Sequence, residues 1–276
     1  MLVDFNKLIS AFNMDVKGVL HIGAHYGEEA SFYNSIGLKD AIFFEPLSEC
    51  FKVCKENISK FNYEAVNTAL GPESSSVEMY TETRNEGQSS SVLKPKLHVN
   101  QYPDIVFDGT EKVDMITLDE YMKDRDNLYN LINIDVQGYE LEVLRGATKT
   151  LQNIDYVYSE VNNQELYENC AMVEDLDYFL DDFGFARAFT HWAGGSWGWH
   201  YISLNRALEE VVGFCISRED HINTYNGLPT AVKLKMLGLD DATSKKVWKA
   251  KQDYTLDTIR ENGKIQHEKI ELFNYL

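Results

Sequence analysis

Val19-Leu20-His21-Ile22-Gly23-Ala24-His25-Tyr26-Gly27 decides how this chain folds. Four residues suited to a buried strand run into a glycine turn, and residues 28–36 behind the turn read as a helix. The unit then repeats. Ala41-Ile42-Phe43-Phe44 is a second strand, followed by a helical pattern over 48–57 with Phe51 and Cys54 on one face. Ala65-Val66 opens a third run that stops at the turn signal Gly71-Pro72. Residues 77–80 and 113–116 read as extra strands around a polar loop. Leu131-Ile132-Asn133-Ile134 is a strand ending in Asp135, with a helix over 140–151. Residues 156–159 form another strand and 176–183 a short helix, and 187–190 with 200–204 form an antiparallel pair. Strand then helix, repeated, specifies an α/β fold with a doubly wound, mostly parallel sheet. Such sheets bind ligands beyond the carboxyl ends of their strands, where strand order reverses. Gly23, Glu45, Thr68, Asp135 and Glu160 all fall at strand ends.

Composition narrows the classes. The 276 residues are 44% hydrophobic and 25% charged, which excludes disordered, collagen-like and coiled-coil chains. No apolar window reaches the roughly 18 residues of a membrane span. The start of the chain lacks the charged and apolar segments of a secretion leader, so a cytoplasmic protein with reduced thiols is expected. Cys50 and Cys54 lack the companions of a zinc set, and no metal is assigned there. The net charge of -18 is uneven. Residues 205–276 hold 11 basic and 11 acidic side chains, so residues 1–204 carry the whole excess. A surface this acidic repels phosphate backbones, and nucleic acid is not expected as a partner. Residues 1–204 read as one domain and 205–276 as a mainly helical appendage. The oligomeric state is left open.

The glycine turn lets the backbone approach a ligand while N–H groups point at it. Its spacing is G-x-x-x-G, and His25 stands where a dinucleotide fingerprint needs its middle glycine. Phe44-Glu45-Pro46 ends the next strand, with Glu45 placed 22 residues after Gly23 to accept from two ribose hydroxyls. A ribose acid without a pyrophosphate cradle points to S-adenosylmethionine rather than NAD.

These stretches carry a resemblance. The run from His21 to Gly27, Phe44-Glu45-Pro46, Asn67-Thr68-Ala69-Leu70-Gly71, Ser89-Ser90-Ser91, Ile116-Thr117-Leu118-Asp119 and Ile134-Asp135-Val136-Gln137-Gly138-Tyr139-Glu140 resemble the FkbM-type S-adenosylmethionine-dependent methyltransferases. The resemblance spans about residues 18–204 and implies a Rossmann-like class I methyltransferase fold. It implies that Gly23, Ala24 and Gly27 line the methionine and sugar end of the cofactor. Glu45, beside Pro46, would hold the ribose, and Thr68 and Ala69 would border the adenine. The family usually has an acid where this chain has His21, a position tied to the cofactor's amino group. It usually has Asp-Val-Glu-Gly where this chain has Asp135-Val136-Gln137-Gly138; a Gln keeps hydrogen bonding without the charge.

Asp135 is the leading catalytic candidate, because a hydroxyl is a poor nucleophile until a carboxylate takes or orients its proton. The same residue could instead cap the helix that follows. A divalent ion held by Asp135 and Glu160 is a further alternative that the pattern does not favour. His191 and His200 bracket Trp192, Trp197 and Trp199 in a glycine-rich loop suited to stacking on a sugar, and either histidine could act as a base. His25, Asn85 and Ser89-Ser90-Ser91 read equally as site or structural residues. The expected activity is O-methylation of a sugar hydroxyl in a glycan, glycolipid or natural product, the acceptor class coming from the resemblance. A nucleotide-dependent oxidoreductase and an inactive S-adenosylmethionine-binding module are the alternatives.

Overall fold

The structure, a computed structural model, describes residues 5, 9, 14–125, 128–193 and 210–216. Its main sheet takes β1 (Gly18–Ile22), β2 (Asp40–Phe44), β3 (Glu64–Val66), β7 (Leu131–Ile134), β8 (Tyr156–Asn162), β9 (Ala186–Ala193) and β10 (Glu210–Ile216). Their order is β3-β2-β1-β7-β8-β10-β9. The first five run parallel, and β10 lies antiparallel between β8 and β9. The expected doubly wound, mostly parallel sheet is what the chain forms, with the order reversing at β1. A second, three-stranded sheet joins β4 (Ala69–Leu70), β5 (Ser75–Glu82) and β6 (Phe107–Ile116) in the order β4-β6-β5. The extra strands expected around a polar loop are β5 and β6. The third run divides, β3 staying in the main sheet and β4 leaving for the second.

Apolar runs without alternation mark strands buried on both faces. On one face Leu20, Ile22, Ile42, Phe44, Ile132 and Ile134 join Val143 and Leu144, and Leu176 and Leu180. Those partners come from two helices, α5 (Glu140–Arg145) and α6 (Val173–Asp181), that follow α1 (Ala30–Ser35), α2 (Ser48–Ser59), α3 (His98–Gln101) and α4 (Leu118–Met122). On the other face Val19, Ala41, Phe43 and Leu131 meet Tyr33 of α1 and Cys54 and Ile58 of α2. Each fully buried Leu, Ile or Phe contributes about 1.5–3 kcal/mol, so the two layers are the principal source of stability. His21 belongs to the second face by strand alternation, stacked on Phe43 at 5.1 Å. Among the described residues no helix is long and apolar enough to cross a membrane.

One expectation needs correction. The helix expected over 140–151 ends at Arg145. Its apolar spacing continues through Ala147 and Leu151, both in the same core, but the backbone turns at Gly146. There Asp119 gathers the N–H groups of Lys149 and Thr150 and starts a new turn, Thr150–Asn153. Among the described residues the antiparallel partner of β9 is β10; residues 200–204, expected to pair with it, lie outside the described residues. The sheet therefore draws a strand from the segment beyond residue 204.

Gly146 is tightly placed: a Cβ there would stand 2.0 Å from the Gly71 carbonyl oxygen. Gly37, with φ +86°, has nothing within 4 Å. Gly146→Ala should lower stability by about 1–3 kcal/mol through overpacking against backbone. Gly37→Ala should cost about 1–2 kcal/mol, from its left-handed backbone alone. Denaturant melts check both, and a neutral Gly146→Ala would contradict the close approach.

Candidate active site

A cleft opens beyond the carboxyl ends of β1, β2 and β7. Gly23, Glu45, Pro46, Thr68, Ala69 and Asp135 all line it, and so does His25. The apolar lining comes from Phe44, Leu47, Met79, Val92 and Tyr139. His21, Ala24 and Gly27, expected to line the cofactor site, are not among its lining residues.

Each has a physical reason to be elsewhere. His21 is buried on the opposite face of β1, where Tyr33 Oη lies 3.0 Å from its Nδ1 and Asn133 donates to the same hydroxyl. Burial lowers its pKa, so the ring is neutral there. Ala24 is fully buried in the core beneath the turn. Gly27, with φ +72°, faces α2: a Cβ would stand 2.7 Å from Ile58 Cγ2. It supports the turn from behind. Gly23 has φ +79°, and a Cβ there would stand 1.7 Å from the Asp135 carbonyl oxygen. Its bare Cα lets the ends of β1 and β7 meet.

Glu45 closes the other side of the turn. Its Oε2 accepts from His25 N and its Oε1 from Leu47 N, both at 2.8 Å. Burial raises its pKa to about 7, although these N–H donors pull the other way. Burial also works against charge on His25, but bonds with Cys50, Glu28 and the Glu86 carbonyl outweigh it and raise its pKa to about 10. The His25 ring ties the turn to residues 85–91, with Nε2 3.0 Å from the Glu86 oxygen. That segment is an ordered roof. Gly87, Gln88 and Ser90 line the cleft, and Ser89, Ser90 and Ser91 are buried. Glu82, unnoticed in the sequence, holds the roof by accepting from Asn85 N and Ser89 N.

Asp135 is exposed at the end of β7 and does not cap α5, which begins five residues later with no side-chain cap. The acid that gathers N–H groups ahead of α5 is Glu140, whose Oε1 accepts from Val136 N and Gly138 N at 3.0 Å. Burial and the nearby Asp135 push its carboxyl upward. Asp135, Glu140 and Glu160 offer oxygens within 4.8 Å of one another, hard donors of the kind that suit a divalent cation. Gln137 Nε2 stands between two of them, 2.7 Å from Asp135 Oδ1 and 2.8 Å from Glu160 Oε2. Sequence reading gave no role to Glu140 or to Tyr167, whose hydroxyl lies 3.0 Å from Gln137 Oε1; the acid two residues after Gly138 was the available signal for the first. His191 lies in β9, opposite Val212 of β10. His200, Trp197 and Trp199 lie outside the described residues.

The family model of the methyltransferase FkbM domain matches residues 21–186. The 2-O-methyltransferase NoeI of Sinorhizobium fredii is 28% identical over 170 residues, covering 59% of this chain and 70% of that protein. The structure is also similar to TrmK of M. capricolum bound to S-adenosylhomocysteine, at TM-score 0.42 and 9% identity, covering 79% and 70% of the two chains. A TehB-like methyltransferase from Corynebacterium glutamicum matches at TM-score 0.40 and 10% identity, covering 76% and 85%.

A carboxyl with a pKa of about 7 binds its proton as the pH falls through neutrality. Glu45 then loses the charge that strengthens bonds from ribose hydroxyls. Affinity for a ribose-bearing ligand should therefore decline from about pH 8 to about pH 6, by at most about tenfold per unit. Glu45→Gln should bind weakly with a flat profile. Calorimetry across that range decides it, and a flat wild-type profile would detach Glu45 from the ligand.

Proposed function

Because the chain belongs to the FkbM methyltransferase family, whose methyl donor is S-adenosylmethionine, we propose that it methylates a hydroxyl on a sugar of a glycan, glycolipid or natural product. The observation that carries this reading is the exposed Asp135 carboxylate, lining the cleft directly beside Gly23. Support for an oxygen acceptor comes from NoeI, by name a 2-O-methyltransferase.

The cleft fits the donor. Each Glu45 oxygen already accepts one N–H, and a carboxylate has about four acceptor sites, so two remain for the ribose hydroxyls. Leu47, Met79 and Val92 give an adenine ring apolar surface, with Thr68 and Ala69 at its border. Thr68 Oγ1 donates to the Asp114 carbonyl, so this residue contributes shape rather than a free hydroxyl. When bound, S-adenosylmethionine supplies a sulfonium methyl that forms a C–O bond as its C–S bond breaks, leaving the electron pair on sulfur. Asp135 accepts the acceptor's hydroxyl proton as that bond forms, a contribution typical of general bases. His191 and His200 are the next candidates for that role.

The acidity of residues 1–204 supports an acceptor other than nucleic acid. Unpaired Cys50, Cys54 and Cys170 support a reducing, cytoplasmic setting. In this reading the catalytic domain runs through β10, which lies inside the sheet, and the appendage follows it.

Asp135→Asn should leave the fold and S-adenosylhomocysteine affinity nearly intact while turnover falls about 10²–10⁴-fold. Activity is assayed on hydroxyl acceptors found by mass spectrometry, as a one-methyl difference between glycans of cells with and without the protein. Retained turnover in the Asn variant would remove Asp135 from the mechanism. Glu45→Ala should weaken cofactor binding by about 2–3 kcal/mol through lost charge-assisted bonds. Unchanged calorimetric affinity would place the nucleoside elsewhere.

A further inference from the structure

Gln137 is held unusually firmly for a residue at the mouth of a cleft. Its backbone has φ 55°, a left-handed conformation that side-chain-bearing residues enter only under constraint. Ser91 Oγ donates to its carbonyl at 2.8 Å. Tyr167 Oη lies 3.0 Å from its Oε1. Its Nε2 donates to Asp135 Oδ1 and Glu160 Oε2 at 2.7 and 2.8 Å. The orientation of the amide is fixed by this network, because the reverse would set its oxygen against two carboxylates.

Asp135 and Glu160 repel one another, and Glu140 adds a third carboxyl within the same 4.8 Å. The nearby His21 is neutral and occupied by Tyr33, so it supplies no compensating charge. Both Gln137 N–H groups are spent on the two carboxylates. We propose that Gln137 is a positioning residue: its amide clamps Asp135 and Glu160 together and holds Asp135 in line with the acceptor hydroxyl. The two donors do by hydrogen bonding what a bound cation would do by charge. This rests on the reading of Asp135 as the proton acceptor.

Two variants test it. Gln137→Met keeps the length with no polar atoms, and Gln137→Leu removes both donors on a shorter, branched stem. Both should fold, bind S-adenosylhomocysteine within about twofold of wild type, keep the acceptor KM within about twofold, and lose about 10²-fold in kcat, as expected for a misplaced reacting group. A merely structural role would not separate kcat from KM in this way. EDTA should leave wild-type turnover unchanged. Wild-type kcat in both variants, or loss of wild-type turnover in EDTA, overturns the clamp. If Gln137→Leu fails to fold, the Gln137→Met rate decides. Asp135→Asn separates the two levels: full activity there defeats the reading of Asp135 as the base. An inactive Asp135→Asn beside fully active Gln137 variants defeats the clamp alone.

Discussion

The contact between Gly23 and Asp135 constrains everything around it. β1 sits between β2 and β7, and its end must turn away between two neighbouring strand ends. Gly23 N and Ala24 N both donate to the Phe44 carbonyl, and Asp135 N donates to the Ile22 carbonyl, each at 3.0 Å. The turn is thus stitched to β2 on one side and β7 on the other. No residue with a Cβ can occupy position 23, since 1.7 Å from a carbonyl oxygen is far inside contact distance. The consequence reaches the chemistry. The turn and the Asp135 carboxylate are brought together by backbone packing, which is stiffer than any side-chain arrangement. Gly23 therefore serves the joint between two strands, and the ligand space next to it is a by-product of that joint.

Carboxylates around the cleft follow one scheme. Glu45 gathers N–H groups from the glycine turn and the start of α2. Glu82 gathers them from the roof, and Glu140 from the loop after β7. Each is buried, and each offsets the cost of its burial with backbone donors that a loop would otherwise leave unsatisfied. The loops are thereby held without secondary structure of their own.

Much of this was legible in the sequence, for definite reasons. Leu20, Ile22, Ile42, Phe44, Ile132 and Ile134 announce buried strands because both faces are covered. The placement of Glu45 and Asp135 beside the cleft was legible because this architecture opens its clefts at strand ends. The misses have causes of another kind. His21 looks like a site residue by position, but alternation along β1 sends its side chain to the far face. Gly27 looks like a ligand glycine, but its constraint comes from Ile58, thirty-one residues away in the chain. The end of α5 was invisible because Ala147 and Leu151 keep the helical apolar spacing after the helix has stopped. Whether Asp135 capped a helix depended on where α5 begins: it starts at Glu140 with no side-chain cap, and the N–H groups of the loop ahead of it go to Glu140. Such competition for N–H groups is settled by three-dimensional placement, and local sequence cannot rank the competitors.

Tyr167 connects the roof to the carboxylates. Its hydroxyl lies 2.8 Å from the Ser89 carbonyl and 3.0 Å from Gln137 Oε1, yet it has a single hydrogen to donate. The two acceptors must share it or alternate. Ser91, two residues further along the roof, donates to the Gln137 carbonyl. Gln137 is therefore bound to the roof through both its backbone and its side chain, while the roof is bound to the glycine turn through Glu86 and His25. Turn, roof and amide form a closed ring of hydrogen bonds around the cleft. A ligand that displaces the roof must loosen either the His25 bond or the Gln137 bonds. The first is on the side of Glu45 and the second on the side of Asp135. The segment that covers the cleft is thus fastened at both of its chemical ends, which ties the geometry of donor binding to that of the acceptor's carboxylate.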